Sequence, residues 1–491
     1  MKTKIKGRYV VGFDEVQNEH VLYRDGEVVF EDDRVVFAGK SYGQPVQKVI
    51  DATNCLVGPG FVDVHALMDV GIHPLLMDHR SDSSGRLGRS KDWLFDPQQT
   101  PVFSPDEVRA GSEHTFLALL KSGATTFCGM TAMVFKRWDD ALWEPEIHAE
   151  VALRFGLRAY LSHHFRAGAK YTDAAGAAQT AWDEERGRRG LERNIDFIKK
   201  YNGAFDGRIN GYLMPYTCDQ AGAGLLRETR RAADELKAPI KMHFAQSPAE
   251  IEEIATKHDG LTPIEYLESL EFLGPDVMLT HCLFGRGYQD GPGVSDAELA
   301  ILARRQVSVG HTPWIYAMGG GYLESLSRYL KHGVNVALGT DTHPNDIIRE
   351  MRWAALMAKT AAGGDNRSGT AREVYNAATV NGARFLGRDD IGRLAPGSKA
   401  DIVVVDLDNA AVGPQHDPIR SLVYFASLAD VRDVFIDGRA RVAGGKVTFL
   451  DEAEVIRRAQ PVADQMRAVL ADWTRPGRPA AEVYPPSFEI R

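Results

Sequence analysis

Apolar and polar positions follow two different rhythms along this chain. Through residues 1–56 they form short alternating or continuous apolar runs, "GRYVVGF", "HVLYRDGEVVFEDDRVVFAGK" and "VIDATNCLV". Turn signals interrupt them at Arg24-Asp25-Gly26 and Glu31-Asp32-Asp33, so the segment reads as a set of strands. The same pattern returns late, in "GSKADIVVVDLDN" and "VRDVFIDGRARVAGGKVTFL". The two ends are therefore expected to pair into one small β-sandwich with the long middle inserted between them.

The middle alternates strand-like runs with helical ones. "GATTFCGM" precedes "EPEIHAEVALRFG", "INGYLMPY" precedes "GLLRETRRAADELK", and "IKMHF" precedes "PAEIEEIATKH". "VMLTHC" then leads to "DAELAILARRQ", and "VNVALGTDT" to "DIIREMRWAALMAKTA". Strands separated by helices of ten or more residues indicate βα units on a parallel sheet. The number of units suits a (β/α)8 TIM barrel better than a three-layer sheet. The expected organisation is an α/β fold. Residues 1–57 with 393–450 form the composite β-sandwich, 58–392 the barrel, and 451–491 a C-terminal helix and tail. The segment "DEAEVIRRAQPVADQMRAVLADW" is amphipathic, with a break or kink expected at Pro461. The proline-rich end "TRPGRPAAEVYPPSFEIR" is expected to be extended, either wrapping a neighbour or lying as a surface tail.

Composition narrows the function classes. A chain of 491 residues, 44% hydrophobic and 25% charged, is an ordinary globular composition for one large domain plus a smaller unit. A formal charge of -9 gives no basic face for nucleic acid. The four cysteines, Cys55, Cys128, Cys218 and Cys282, are far apart and show neither disulfide-framework nor zinc-knuckle spacing. The start "MKTKIKGRYVVGFDE" lacks a signal-peptide pattern, and no apolar run approaches the roughly 20 residues of a membrane span. A cytoplasmic enzyme acting on a small molecule, with no membrane or nucleic-acid partner, is the expectation.

Several barrel strands end in a polar residue. "PGFVDVH" ends at His65, "PIKMH" at His243, "VMLTH" at His281 and "VALGTD" at Asp341. A lone strand-end histidine is usually structural, and an aspartate before Thr342 can simply cap a turn. Four in this order point to a shared bowl, because the carboxyl ends of barrel strands face one site. Three imidazoles and a carboxylate suit a zinc-like ion, which lowers the pKa of water toward about 7.

"VGPGFVDVH" resembles the opening motif of amidohydrolases, "GRLAPGSKADIVVVDLD" their return into the terminal sandwich, and "GTDTHPNDIIREMRWAALMAK" the aspartate strand of the deaminase/chlorohydrolase, triazine hydrolase-like branch. The resemblance spans about residues 5–450. It implies metal ligands at His65, His243, His281 and Asp341. His281 would alternatively orient the water, and Asp341 would also accept a proton. It implies one divalent ion, zinc first, with iron, manganese or cobalt as substitutes, and a homo-oligomer.

Two positions depart from that family pattern. The strand-1 motif is His-x-His, but this chain has His65-Ala66-Leu67. A glutamate usually stands three residues after the strand-5 histidine, where this chain has Gln246, which hydrogen-bonds but has no carboxylate to shuttle a proton. Three explanations stay open: a rebuilt metal site, a metal-free site, or a non-catalytic relative. In the first, His73, Asp69, Asp78, His79 or Glu250 would handle protons. Further polar residues follow other strands: His163, His164 and Arg166; Tyr216, Cys218 and Asp219; His311, Trp314 and Tyr316. Of these, His163, Arg166, Tyr216, His311 and Trp314 are the candidate substrate contacts, with Arg166 suited to an electron-rich carbonyl or anion and Trp314 to a planar ring. "GGGYLESL" and the polar run 78–93 read as loops over the bowl.

The expected chemistry is hydrolysis of a C–N bond of amide, urea or carbamate type in a small planar nitrogen-containing compound, with His281, Asp341 and Gln246 as catalytic candidates. Gln246 would hydrogen-bond a substrate carbonyl. Deamination or dehalogenation of an N-heterocycle, and a silent binding protein, are the alternatives.

Overall fold

A computed structural model describes residues 1–68, 90–95, 102–131, 136–173, 177–290, 293–323, 326–474 and 478–490. In chain order its strands begin with β1 (Lys2–Asp14), β2 (Glu19–Glu31), β3 (Arg34–Gly39) and β4 (Lys48–Pro59). The middle of the chain contributes β5 (Phe61–Leu67), β6 (Ala124–Met130), β7 (Arg158–Leu161), β8 (His164–Phe165), β9 (Gly168–Thr172) and β10 (Ala178–Trp182). It continues with β11 (Ile209–Gly211), β12 (Met214–Pro215), β13 (Ile240–Phe244), β14 (Val277–His281), β15 (Ser308–His311) and β16 (Asn335–Leu338). The chain returns in β17 (Ile402–Asp406), β18 (Val431–Ile436), β19 (Arg439–Ala443) and β20 (Lys446–Val447).

β4 joins the two chain ends, pairing in parallel with β1 on one side and antiparallel with β17 on the other. The result is one eight-stranded sheet in the order β20-β19-β18-β17-β4-β1-β2-β3. The sandwich expected from the sequence is thus a single mixed sheet. It curls so that residues from both halves, including Val28, Phe30, Ile402 and Phe435, share one apolar core. Phe30 and Phe435 meet at 5.7 Å between ring centroids although their strands are not neighbours in the sheet. The parallel β1–β4 pair is the feature hairpin signals could not show, since a parallel partner needs a longer connection.

Among the described residues the middle of the chain gives parallel ladders, apart from the β9–β10 hairpin. One four-stranded sheet runs β5-β6-β7-β11 and another β13-β14-β15-β16, with β8 and β12 paired as short extensions of β7 and β11. Backbone bonds tie the sheets together at two seams. Leu213 N–H donates to Pro239 O (2.8 Å) and Lys241 N–H to Leu213 O (3.0 Å) at one. Asp341 N–H donates to His65 O (2.6 Å) and Leu67 N–H to Asp341 O (2.5 Å) at the other. Strand interiors are continuously buried, as parallel strands covered by helices require.

A buried ion network locks the end sheet onto the parallel strands. The Arg158 guanidinium, at the start of β7, donates to Asp401 (2.6 Å) and Asp437 (2.8 Å). The C-terminal helix Glu452–Thr474 packs on Pro105–Lys121 and runs through Pro461, where the sequence suggested a break. The tail is not wholly extended: Ala480–Val483 is a helical turn, and Arg467 holds Tyr484 O against the preceding helix at 2.5 Å. Among the described residues no helix is long and apolar enough to cross a membrane.

Candidate active site

Alternation along each strand decides which side chains enter the bowl. On β5 the register against β6 shifts between Asp63 and Ala66, beside His65, and on β13 Lys241 and His243 share one face. β13 and β14 pair with His243 opposite Thr280 and Phe244 opposite His281, so His281 stands one residue further along than His243, at the end of its strand. Asp341 lies just beyond β16, beside His65 across the seam.

His65, His243 and His281 converge there, with one ligand-capable atom of each lying within 4.8 Å of the others. The ring centroids are 4.9 Å apart for His65 and His243, and 5.3 Å for each of the other two pairs. Asp341 Oδ2 is 3.4 Å from His65 Nε2 and 3.7 Å from His281 Nε2. Burial pushes all three imidazoles well below their usual pKa, so they are neutral, the form that binds metal. Neither ring nitrogen of His65, nor Nδ1 of His243, has a hydrogen-bond partner within the described protein. Orphaned buried nitrogens facing a carboxylate fit a cation with N and O ligands.

Supporting contacts fix these groups. His281 Nδ1 lies 3.0 Å from Thr312 Oγ1, which leaves Nε2 toward the cluster. Asp63 accepts from His65 N–H (2.9 Å), Thr340 N–H (3.2 Å) and the Thr340 hydroxyl (2.6 Å), joining β5 to the segment that carries Asp341. A Cβ at Gly339 would lie 2.6 Å from His65 Cβ, so only glycine lets this segment pass. His281 and Asp341 themselves adopt positive φ, 81° and 55°, as does Ala245 at 46°. Left-handed backbone at non-glycine residues costs of order 1–3 kcal/mol each and marks strand ends held in place by their surroundings.

The sequence candidates divide. Tyr216 packs edge-on to His243 at 5.2 Å, and the Arg166 guanidinium lies 5.7 Å from the Tyr216 ring while donating to Arg137 O at 3.0 Å. His163, expected in the bowl, instead turns its ring onto Phe197 of the helix Glu184–Tyr201. Its neighbour His164 takes the inner position, near Tyr216 and bonded through Nδ1 to the fully buried Asp140 at 2.8 Å. Trp314 likewise departs from expectation, packing on Trp353 (5.3 Å) and Arg349 (5.4 Å). Tyr316, two residues on, faces His281 at 5.1 Å and donates to Gln246 Oε1 at 3.5 Å. His311 is buried, with its pKa pushed down to about 3, and lies outside the three-imidazole group.

Leu67 is buried and belongs to the same apolar cluster as Met130, Tyr160 and Tyr212, so an apolar side chain stands at the second strand-1 position. Glu250 does not face the bowl as a free carboxylate. It accepts from Ala245 N–H (2.9 Å), Gln246 N–H (3.2 Å) and the Cys218 thiol (3.4 Å), bracing the turn that carries Gln246. Burial and the Asp219 charge raise its pKa to about 8. Asp69, His73, Asp78 and His79 lie outside the described residues. Sequence reasoning did not single out Asp63, Asp140, Thr312 or Lys241. For Asp63 and Lys241 the signal was present, since each stands two residues before a strand-end histidine.

This fold and site define an amidohydrolase. A model of the amidohydrolase family matches residues 56–441, and the chain belongs to that family. It is a hydrolase acting on carbon–nitrogen bonds. It is 29% identical over 471 residues to a 5'-deoxyadenosine deaminase of Methanosarcina acetivorans, covering 94% of this chain and 98% of that protein. It is 31% identical to a 5-methylthioadenosine/S-adenosylhomocysteine deaminase of Desulforudis audaxviator, covering 90% and 95%. Among solved structures it shares its fold with an adenosine deaminase from Xanthomonas campestris with bound zinc, at TM-score 0.73 and 22% identity over 95% of this chain and 98% of that one. It also shares it with the atrazine chlorohydrolase of Arthrobacter aurescens complexed with zinc, at TM-score 0.76 and 20% identity over 94% and 100%.

Proposed function

We propose that the eight parallel strands close as a (β/α)8 barrel whose bowl holds one divalent ion through His65, His243, His281 and Asp341, and that the protein hydrolyses a C–N bond in a small planar nitrogen-containing compound. The observation that carries this reading is the meeting of three buried neutral imidazoles with the Asp341 carboxylate. Zinc is the first choice, since zinc is bound in both structural neighbours named above. Bound there, such an ion would lower the pKa of water toward neutrality and polarise the scissile carbon. Asp341 Oδ2, between His65 and His281, is placed to take the water's proton, with His281 as the second acceptor.

Gln246 favours amide, urea or carbamate cleavage within this class. Deamination of a heterocycle commonly needs a ring nitrogen protonated, and an amide side chain cannot deliver that proton. With the Tyr316 hydroxyl on Oε1, the Gln246 amide N–H2 is available to donate to a substrate carbonyl and to the negative charge that develops on it. Tyr216 and Tyr316 flank the imidazoles and suit a planar substrate.

One observation favours a second reading, aminohydrolysis of an N-heterocycle: the relatives that match nearly the full chain are named as deaminases of adenine-containing nucleosides. A panel of ureas, carbamates and amides beside adenine nucleosides, assayed for ammonia or amine release by zinc-loaded protein, separates the two. Turnover of carbonyl compounds alone is the expected result. Turnover of the nucleosides alone would select the second reading, and no turnover of either by metal-loaded protein would contradict both.

A further inference from the structure

Ser104, Thr262, Ser295 and Thr370 each open a helix by accepting, on the side-chain hydroxyl, the N–H of the third helical residue. Thr312 stands in the same place before the short helix Pro313–Met318, yet its side chain makes no such bond. Its backbone sits at φ -125° and ψ 73°, whereas those four residues have φ between -76° and -63° and ψ between 156° and 163°. The Thr312 hydroxyl is committed elsewhere, 3.0 Å from His281 Nδ1.

The helix start is satisfied from a distant element instead. Pro313, at the first helical position, has no N–H to place. The next N–H, that of Trp314, donates to Glu350 Oε2 at 3.1 Å. Glu350 belongs to the helix Ile347–Ala361, which follows Asp341 in the chain, and it is 1% exposed. Among the described residues it makes no ion pair, and a buried carboxyl with a single backbone partner is costly to keep. Burial pushes its pKa well above the usual carboxylate range, and the charges of Asp63, Asp341 and Asp346 add to that. Acid and carboxylate alike offer an oxygen that accepts an N–H, so the bond to Trp314 is open to both. Tyr316, which faces His281 and donates to Gln246, rides on the same short helix.

We propose that Glu350 is a positioning residue: it caps the helix Pro313–Met318 in place of Thr312, and so leaves the Thr312 hydroxyl to orient His281 toward the cluster. The inference rests on the metal-dependent reading above, in which His281 faces the ion through Nε2 and its Nδ1–H donates to Thr312 Oγ1. Without the Glu350 acceptor the helix start needs another, and Thr312 supplies one only by turning its hydroxyl away from His281. A glutamate that served packing alone would leave metal affinity independent of the reach of its carboxyl.

The test titrates chelator-stripped protein with Zn2+ against a chromogenic chelator, with circular dichroism confirming the fold. Wild type is compared with Glu350→Gln, Glu350→Asp, Thr312→Val and the double variant that combines Glu350→Asp with Thr312→Val. Glutamine keeps the reach and an acceptor oxygen without the acid, and aspartate keeps the acid but is one methylene too short. Glu350→Gln should hold Zn2+ within about threefold of wild type, while Glu350→Asp and Thr312→Val should each raise Kd by about tenfold or more, the worth of a partner that orients a ligand histidine. The double variant should be within about threefold of the weaker single variant, because both changes break one link. Wild-type affinity in Glu350→Asp or Thr312→Val, a Glu350→Gln variant as weak as Glu350→Asp, or losses that multiply in the double variant would each overturn the inference and leave the proposed function standing. Should Glu350→Asp or Thr312→Val not fold, amide exchange in wild type decides. Coupling is reciprocal, so Zn2+ should slow exchange of the Trp314 amide, and exchange unchanged by Zn2+ would overturn the inference. Wild type that takes up no Zn2+ would overturn the functional reading and this inference with it.

Discussion

His65 Nε2 lies 3.4 Å from Asp341 Oδ2, across the seam where β5 meets the segment after β16. Residues from β5 and from the segment after β16 therefore contribute to one centre. The same Asp341 oxygen approaches His281 Nε2 at 3.7 Å, so one carboxylate is shared by two imidazoles.

Asp341→Asn keeps the shape of this side chain and removes its charge and its capacity to take a proton. C–N hydrolysis should fall by at least about a hundredfold, since outer-sphere partners of metal ligands alone are worth about 10–100-fold. Metal affinity should fall in the same variant. Activity within about threefold of wild type would mean that the proton goes elsewhere.

Gln246→Glu restores the carboxylate that the family pattern places after the strand-5 histidine. The turn carrying it is braced from behind by Glu250, so the substitution should leave the backbone in place. Carbonyl-type substrates should lose about tenfold or more in kcat/KM, and any amino-heterocycle activity should rise. Unchanged preference between the two classes would remove Gln246 from the account of specificity.

Arg158→Ala leaves Asp401 and Asp437 facing an empty position in the interface between the end sheet and β7. Breaking a buried ion pair from one side costs about 3–5 kcal/mol. The urea midpoint should fall accordingly, and a loss below about 1 kcal/mol would show that the two units are held together by apolar packing alone.

Acid should destabilise the fold through its buried neutral histidines. Burial lowers the pKa of His20 to about 4, and of His148 and His311 to about 3, from an unperturbed 6.5. Each group binds its proton more readily in the unfolded chain, so the stability it contributes is present above pH 6.5 and is lost as pH falls through 4 to 3. Denaturant unfolding between pH 7 and pH 4.5 should show this decline, with a slope smaller by about one proton in His148→Gln. An identical slope in that variant would contradict the assignment of His148 as a buried neutral group.

The four ligand candidates were legible because each ends an apolar run at or just beyond the carboxyl end of a parallel strand. Parity fails where a strand is interrupted. β7 stops at Leu161 and β8 begins at His164, so the sequence could not say which of two adjacent histidines points inward, and His164 is the one that does. A similar ambiguity separated Trp314 from Tyr316. They lie in the short helix Pro313–Met318, where positions two apart face nearly opposite sides. The single curled sheet was hidden because β1 pairs with β4 rather than only with its hairpin partner. Lys241 was readable from "PIKMH", but a lysine in an apolar strand usually signals an exposed edge, and only the fold shows it enclosed.

Metal content per chain is the most direct test of the central claim. Protein purified without chelator or added metal should carry close to one equivalent of zinc, iron, manganese or cobalt by elemental analysis, and that metal should be lost in His65→Ala. Content below roughly a tenth of an equivalent that does not rise after soaking in Zn2+ would contradict a metal-dependent hydrolase built on His65, His243, His281 and Asp341.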